Sequence, residues 1–234
     1  PFSNLLVKLA CLTIRDDKVD EVSREDQEFM ILESRFLEKP AFAVEQGRNA
    51  AKHMEQDSRK ILDIALGLIY SYSDEQAERV QKLESKIDRY EDELGTYLVK
   101  LNNKDLSERD SHSVSIMLHC IGDFERISDH AVNIMESAQE LHEKNISFSP
   151  QARNELQVLI AVVSRIVDTA YQVFDKQDLN LTRDVEPLEE IVDELSKELK
   201  RRHVNRLRLG ECTIEMGFIL TDLITSLERI ADHC

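Results

Sequence analysis

From about residue 40 to the last residue, apolar side chains recur three and four positions apart. That period buries one side of a segment and leaves the other in water, as amphipathic helices do. The punctuation between runs marks out six helices. The first spans about Pro40 to Ile69. Ser73 followed by Gln76 reads as a capping box, which starts a second helix near residue 74 that runs to about 102. The sequence NNKDL then breaks the pattern. Ser107 with Asp110 caps a third helix, which carries Val114, Leu118, Ile121, Val132 and Met135 on one side and continues to about Leu141. Ser149 is a natural N-cap, and Pro150 suits the first position of a fourth helix that reaches about Phe174. A fifth covers roughly 182–208, with Pro187 tolerable only near its start. Gly210 suits its C-terminal cap, and a sixth helix runs to the end of the chain. Ahead of them, residues 15–28 are a charged linker, and residues 1–14 are mostly apolar. That opening segment is either an amphipathic helix capping the core or the tail of a membrane span, which needs ~20 such residues. The chain opens at Pro1 without a methionine and stops inside a helical pattern at Cys234, as a piece of a longer protein would.

Six helices in two sets of three point to a duplication. GDFERISDHA at 122–131 matches TSLERIADHC at 225–234, an offset of 103 residues. LESKID at 83–88 matches LEEIVD at 188–193 at an offset of 105, and Ile61-Leu62-Asp63 matches Ile166-Val167-Asp168 at the same 105. Three matches in one order at nearly one offset indicate an internal repeat. The expected fold is therefore all-α: two tandem antiparallel three-helix bundles, with an N-terminal segment over 1–36, a first repeat over 37–146 and a second over 147–234 that is cut short at its C-terminus.

Composition agrees with helices. Gly (6) and Pro (4) are scarce among 234 residues, whereas an all-β chain needs a turn every ~8–12 residues. The formal net charge of −16 repels nucleic acid and anionic lipid headgroups and attracts cations. Cys11, Cys120, Cys212 and Cys234 show no metal-type spacing, so neither a disulfide framework nor a thiolate zinc site is expected, and a reducing compartment fits better.

The acidic residues become informative through their placement. Glu-x-x-x-Asp occurs four times: Glu84/Asp88, Glu125/Asp129, Glu189/Asp193 and Glu228/Asp232. Each repeat has one pair on its second helix and one on its third. Residues four apart share a helix face, with Cβ atoms ~5–6 Å apart. Across the loop near residue 105, Glu84 and Asp88 lie 21 and 17 residues before it and Glu125 and Asp129 lie 20 and 24 after it. Across the loop near 210, Glu189 and Asp193 lie 21 and 17 before it and Glu228 and Asp232 lie 18 and 22 after it. At a rise of about 1.5 Å per residue, the pairs of each repeat stand within about one turn of the same height. Glu125 follows Phe124 and Glu228 follows Leu227, so these acids border the apolar stripe. The residues alone leave two readings open. One is a cluster of carboxylate oxygens holding iron, manganese, calcium or magnesium, with Asn133 as an outer ligand. The other is a solvated acidic face neutralised by neighbours such as Arg126 and Arg229. His130 and His233 follow the two aspartates but turn ~100° around the helix, which favours packing or hydrogen bonding over ligation. His53, His112, His119, His142 and His203 have no ligand spacing and read as surface or boundary residues. No P-loop, GxSxG or hydrolytic triad is present, and no Glu-x-x-His of the di-metal oxidases, so no enzyme is expected.

FERISDHAVNI at 124–134 and LERIADHC at 227–234 resemble the signature of PhoU proteins, and the likeness extends over about residues 37–234. The resemblance implies two three-helix bundles, acidic motifs that bind multinuclear metal clusters, and a role in regulating phosphate uptake. It therefore favours the metal reading of the four pairs. PFSNLLVKLACL, a charged linker and FLEKPAFAVEQ also resemble the junction of bacterial sodium/phosphate cotransporters that carry a C-terminal PhoU-like domain. This second likeness implies a membrane transport domain in the same protein, or else a separate phosphate transporter, as partner. It places the chain on the cytoplasmic side of the inner membrane, with no nucleic-acid partner; self-association into a homo-oligomer is compatible with it. The sixth helix stops two residues after Asp232, so Asn133 has no counterpart in the second repeat.

Overall fold

A computed structural model describes residues 29–178 and 180–234; the apolar and charged stretches read at 1–14 and 15–28, with Cys11, lie outside the described residues. Six long helices carry the fold: α1 (Pro40–Leu68), α2 (Asp74–Asn102), α3 (Glu108–Glu143), α4 (Pro150–Lys176), α5 (Val185–Arg208) and α6 (Ile214–Asp232). Short 3-10 turns at Met30–Leu32 and Ser34–Glu38 precede α1, another at Leu181–Asp184 precedes α5, and no strand occurs among the described residues. The 3-10 turns before α1 are packed down: Phe29 is buried against Tyr90, ring centroids 4.5 Å apart, with Arg89 over the Phe29 ring.

Helices α1, α2 and α3 pack on one another, as do α4, α5 and α6, and α3 lies against α6. Short loops make sequential helices antiparallel. The result is two tandem three-helix bundles.

The helix ends follow local chemistry. Ser107 Oγ accepts from the Asp110 amide, Ser149 Oγ from Ala152 and Thr213 Oγ1 from Met216, each satisfying an amide that the helix leaves free. The capping box at Ser73 and Gln76 does not form: the Ser73 side chain makes no cap hydrogen bond, and Asp74 and Glu75 place negative charge in the first turn instead. Helix α5 ends with Gly210 at φ +72°, the Gly210 amide donating to Leu207 O and the Glu211 amide to Arg206 O. Helix α3 ends the same way, with Asn145 at φ +50° and bonds from Asn145 to His142 O and from Ile146 to Leu141 O. Both are Schellman ends, which require the left-handed conformation that Gly and Asn tolerate.

The first bundle's core is largely apolar, from Ala50, Met54 and Leu62 through Ile87, Leu94, Leu98 and Leu101 to Val114, Ile127 and Met135, with Glu55, Ser58, Ser128 and Ser137 as its buried polar side chains. The second replaces part of this by charge. Glu155 receives hydrogen bonds from Arg206 (2.8 Å) and Arg202 (3.2 Å), and the side chains of Glu155 and Arg206 are less than a tenth exposed. His203, read from sequence as a surface or boundary residue, is buried at 6% exposure because the repeat places it where the first bundle has Leu98.

The seam between bundles mixes aromatic and polar contacts. Phe124 meets Tyr171 and Phe174 edge-on at 5.3 and 5.2 Å. Ser58 Oγ donates to Phe124 O (3.0 Å) and lies 2.8 Å from Tyr171 Oη. Lys52 pairs with Asp175 (2.6 Å), and Arg59 pairs with Asp168 (3.2 Å).

Candidate metal centre

On α2 the buried stripe runs through Leu83, Ile87 and Tyr90, and on α3 through Ile121, Phe124 and Ser128. Glu84 and Asp88 each follow a stripe residue on α2, and Glu125 and Asp129 do so on α3. All four therefore emerge at the edge of the α2–α3 contact. There, one carboxylate oxygen each from Glu84, Asp88 and Asp129 lies within 4.8 Å of the others. Oxygens on opposite sides of a cation held at about 2.0–2.4 Å are about 4–5 Å apart, so the spread suits one hard ion without rearrangement of the backbone.

The electrostatics describe the same convergence. Burial, then the charges of Asp88 and Asp129, raise the Glu84 carboxyl, while a hydrogen bond from Ser85 Oγ (3.2 Å) opposes the rise. Asp88 is raised by burial and then by Asp129 and Asp92. Glu125 is pushed up to about 7 by burial and then by Asp129, with Arg126 opposing and Asp88 adding to the rise. Glu125 thus senses carboxylates on both helices, but its oxygens are not among the three that converge, those of Glu84, Asp88 and Asp129. Arg126 lies 3.4 Å from both Glu125 and Asp129, longer than the ~2.7–2.9 Å of a strong charged hydrogen bond, with its side chain 60% exposed. It neutralises the rim without filling the centre. Asn133 is exposed and its Nδ2 stands 3.5 Å from His130 Nδ1, so the contact it makes is with the histidine.

The second repeat is built differently. Burial, then Asp193 and Asp232, raise the Glu189 carboxyl, so acids from α5 and α6 do face one another. Cations are interleaved, however. Lys200 sits 2.8 Å from Glu228, Lys197 3.3 Å from Asp193 and Arg229 3.0 Å from Asp232. Among the described residues, the three-oxygen cluster of the first repeat has no counterpart here. The two lysines are the residues that the spacing argument missed. At the 105-residue offset, Lys197 and Lys200 stand where the first repeat has Asp92 and Gly95. The signal was Lys197 itself, four residues after Asp193.

His130 and His233 meet across the seam, ring centroids 6.0 Å apart and nearly parallel, and His233 Nδ1 lies 3.1 Å from Asp123 Oδ1. Burial and then His233 lower the His130 imidazole. Both act in packing and hydrogen bonding between bundles.

Fold and site together define a class: a duplicated helical bundle with paired acids at matching places on the second and third helix of each copy. The PhoU domain matches residues 51–138 and 156–234, once per bundle, and the chain belongs to the PhoU domain family. The "Phosphate-specific transport system accessory protein PhoU homolog 1" of Thermotoga maritima is 30% identical over 111 residues, 47% of this chain and 47% of that protein. The chain thus aligns with about half of that relative's length. The "Phosphate-specific transport system accessory protein PhoU homolog" of Deinococcus radiodurans is 22% identical over 189 residues, 79% of this chain and 86% of that protein. Among solved structures, PhoU from Pseudomonas aeruginosa superposes with a TM-score of 0.75 at 23% identity, covering 82% of this chain and 91% of that one. The regulatory protein PhoU from Streptococcus pneumoniae gives 0.73 at 16% identity, covering 83% and 91%. At these identities the structures speak for the fold alone.

Proposed function

We propose that this chain is a PhoU-type accessory regulator of phosphate transport that holds metal ions on its paired acids, the first quartet foremost. The observation that carries the metal reading is the approach of Glu84, Asp88 and Asp129 oxygens to within 4.8 Å across two helices. Carboxylates gathered there, with only Arg126 at the rim to offset them, repel one another, and the Glu84, Asp88 and Glu125 carboxyls are raised by burial and then by that repulsion. Glu84 and Asp88 from α2 with Glu125 and Asp129 from α3 would hold an ion of the iron, manganese, calcium or magnesium type. An ion held there would supply positive charge to offset the repulsion, with Glu84 and Asp88 of α2 and Asp129 of α3 as its oxygen donors. Glu189, Asp193, Glu228 and Asp232 form the second, lysine-occupied set. No catalytic step is assigned to the chain.

Both curated relatives are phosphate transport accessory proteins by name. That supports a regulator working on a separate phosphate transporter at the cytoplasmic face of the membrane over a domain fused to a sodium/phosphate cotransporter. The direct test is elemental analysis of the purified protein beside an Asp88→Ala, Asp129→Ala double variant. The variant is expected to lose the metal of the first quartet while keeping its helical circular dichroism. Unchanged metal stoichiometry in a folded variant would remove that quartet from the function. For the regulatory half, cells lacking the protein should take up phosphate out of step with supply; unaltered uptake would count against it.

A further inference from the structure

Away from the acidic sites, three pairs of side chains bridge the bundles in order where α1 meets α4. Lys52 pairs with Asp175 (2.6 Å), Ser58 with Tyr171 (2.8 Å) and Arg59 with Asp168 (3.2 Å). Glu55 stands three residues after Lys52 and three before Ser58, so it shares their face of α1. Opposite it lies the interval between Asp175 and Tyr171, one turn apart on α4. Glu55 is therefore enclosed within this ladder, yet its carboxyl takes part in no hydrogen bond or ion pair among the described residues. The cations within reach are committed: Lys52 to Asp175, and Arg59 to both Asp63 and Asp168. From α4, Asp175 and Asp168 add negative charge, and the Tyr171 hydroxyl is buried and stays neutral. From α3 and α6, Asp123 is paired with His233 at 3.1 Å. Burial pushes the thiols of Cys120 and Cys234 up to about 11 and about 12, which keeps both uncharged.

We infer that Glu55 is a proton-operated catch between the bundles: the seam closes over its neutral carboxyl and opens between α1 and α4 when that carboxyl ionises. A carboxylate shut in without a partner must reach water or lose its charge. The seam is the part that yields, because each bundle has its own apolar core. The rungs beside Glu55 are partly exposed ion pairs, and such pairs are weak. Burial, then Asp175, push the Glu55 carboxyl up to about 7, with Lys52 opposing. The closed form thus holds its proton more tightly than the open one, so rising pH favours opening. A proton released near 4.5 in water and near 7 in the closed seam raises the open-to-closed ratio roughly tenfold from about pH 6 to about pH 8.

The chain has no tryptophan, so one placed at Phe174, half-buried at the seam against Phe124, reports on opening. The test follows the emission of a Phe174→Trp protein across pH, in chelator so that the acids of α2 and α3 stay metal-free. Emission should move to longer wavelength as pH rises through neutrality while far-UV circular dichroism stays constant. Adding Glu55→Gln should abolish the shift. Adding Asp175→Asn, which frees Lys52 for Glu55, should move it to lower pH. Glu125, pushed up to about 7, and His233 are both retained in the Glu55→Gln protein. A shift that persists there belongs to them and overturns the inference, as does emission that ignores pH or changes only when circular dichroism collapses. Amide hydrogen exchange of the unsubstituted chain beside Glu55→Gln, compared at equal pH, repeats the measurement without the probe. Faster exchange of the wild type along α1 and α4 above neutral pH is the expected result, and equal exchange overturns the inference.

Discussion

Among single residues, the sharpest contrast lies between repeat-related positions. Ala50, Leu98 and Leu101 in the first bundle correspond to Glu155, His203 and Arg206 in the second. Arg206 Nη2 and His203 Nε2 are buried without a hydrogen-bond partner among the described residues, so this polar core is only partly satisfied. Removing one charge of the buried pair strands the other. Glu155→Ala should cost about 3 kcal/mol in urea unfolding, and Glu155→Ala with Arg206→Leu, which copies the first bundle, should recover most of that. Gly217 belongs to the same arrangement: a Cβ there would come within 2.5 Å of His203 Nε2. Gly217→Ala should therefore destabilise by about 1–3 kcal/mol, measured in the same way. None of this was legible from ligand spacing. His203 has no partner at helical intervals, and only superposing the two repeats puts it on a buried stripe.

For whole helices, the sequence was most transparent. Ser107, Ser149 and Pro150 set helix starts through groups that act within one turn, so a local reading finds them. Gly210 was equally readable, because only its left-handed conformation closes the end of α5. Gly210→Ala should cost about 1 kcal/mol, seen as a lowered melting temperature, while Asn145→Gly at the matching end of α3 should be neutral or slightly stabilising. The Ser73 box failed for the converse reason. Its pattern satisfies the residue types but not the side-chain direction, which one sequence does not contain. The same split runs through the candidate site. Helix period and loop position brought the acids of α2 and α3 to one height. Whether a lysine enters between acids depends on side-chain reach across helices, and Lys200, on α5, meets Glu228 on α6.

At the scale of the whole molecule, the contacts between bundles join residues far apart in sequence, such as Ser58 with Tyr171 and Asp123 with His233, and have no local signature. Glu55 lies in that seam, 8% exposed, with its carboxyl pushed up to about 7 by burial and then by Asp175, against the lowering effect of Lys52. The folded protein thus keeps a proton that the unfolded chain releases near 4.5, so stability falls as pH rises from there and the loss is complete above about 7. Glu55→Gln should flatten that slope and raise stability at pH 8 by roughly 1–2 kcal/mol, discounted for partial solvent screening, as read from melts across the pH range. The lysines seated among the acids of the second bundle carry a different consequence. On the proposed metal reading, an ion entering there would have to displace Lys200, Lys197 and Arg229 from their carboxylates, an added cost that the first set does not share in full. Two halves that share one ancestry would then fill in sequence, the first ahead of the second, giving a single polypeptide a graded scale in place of an on–off reading.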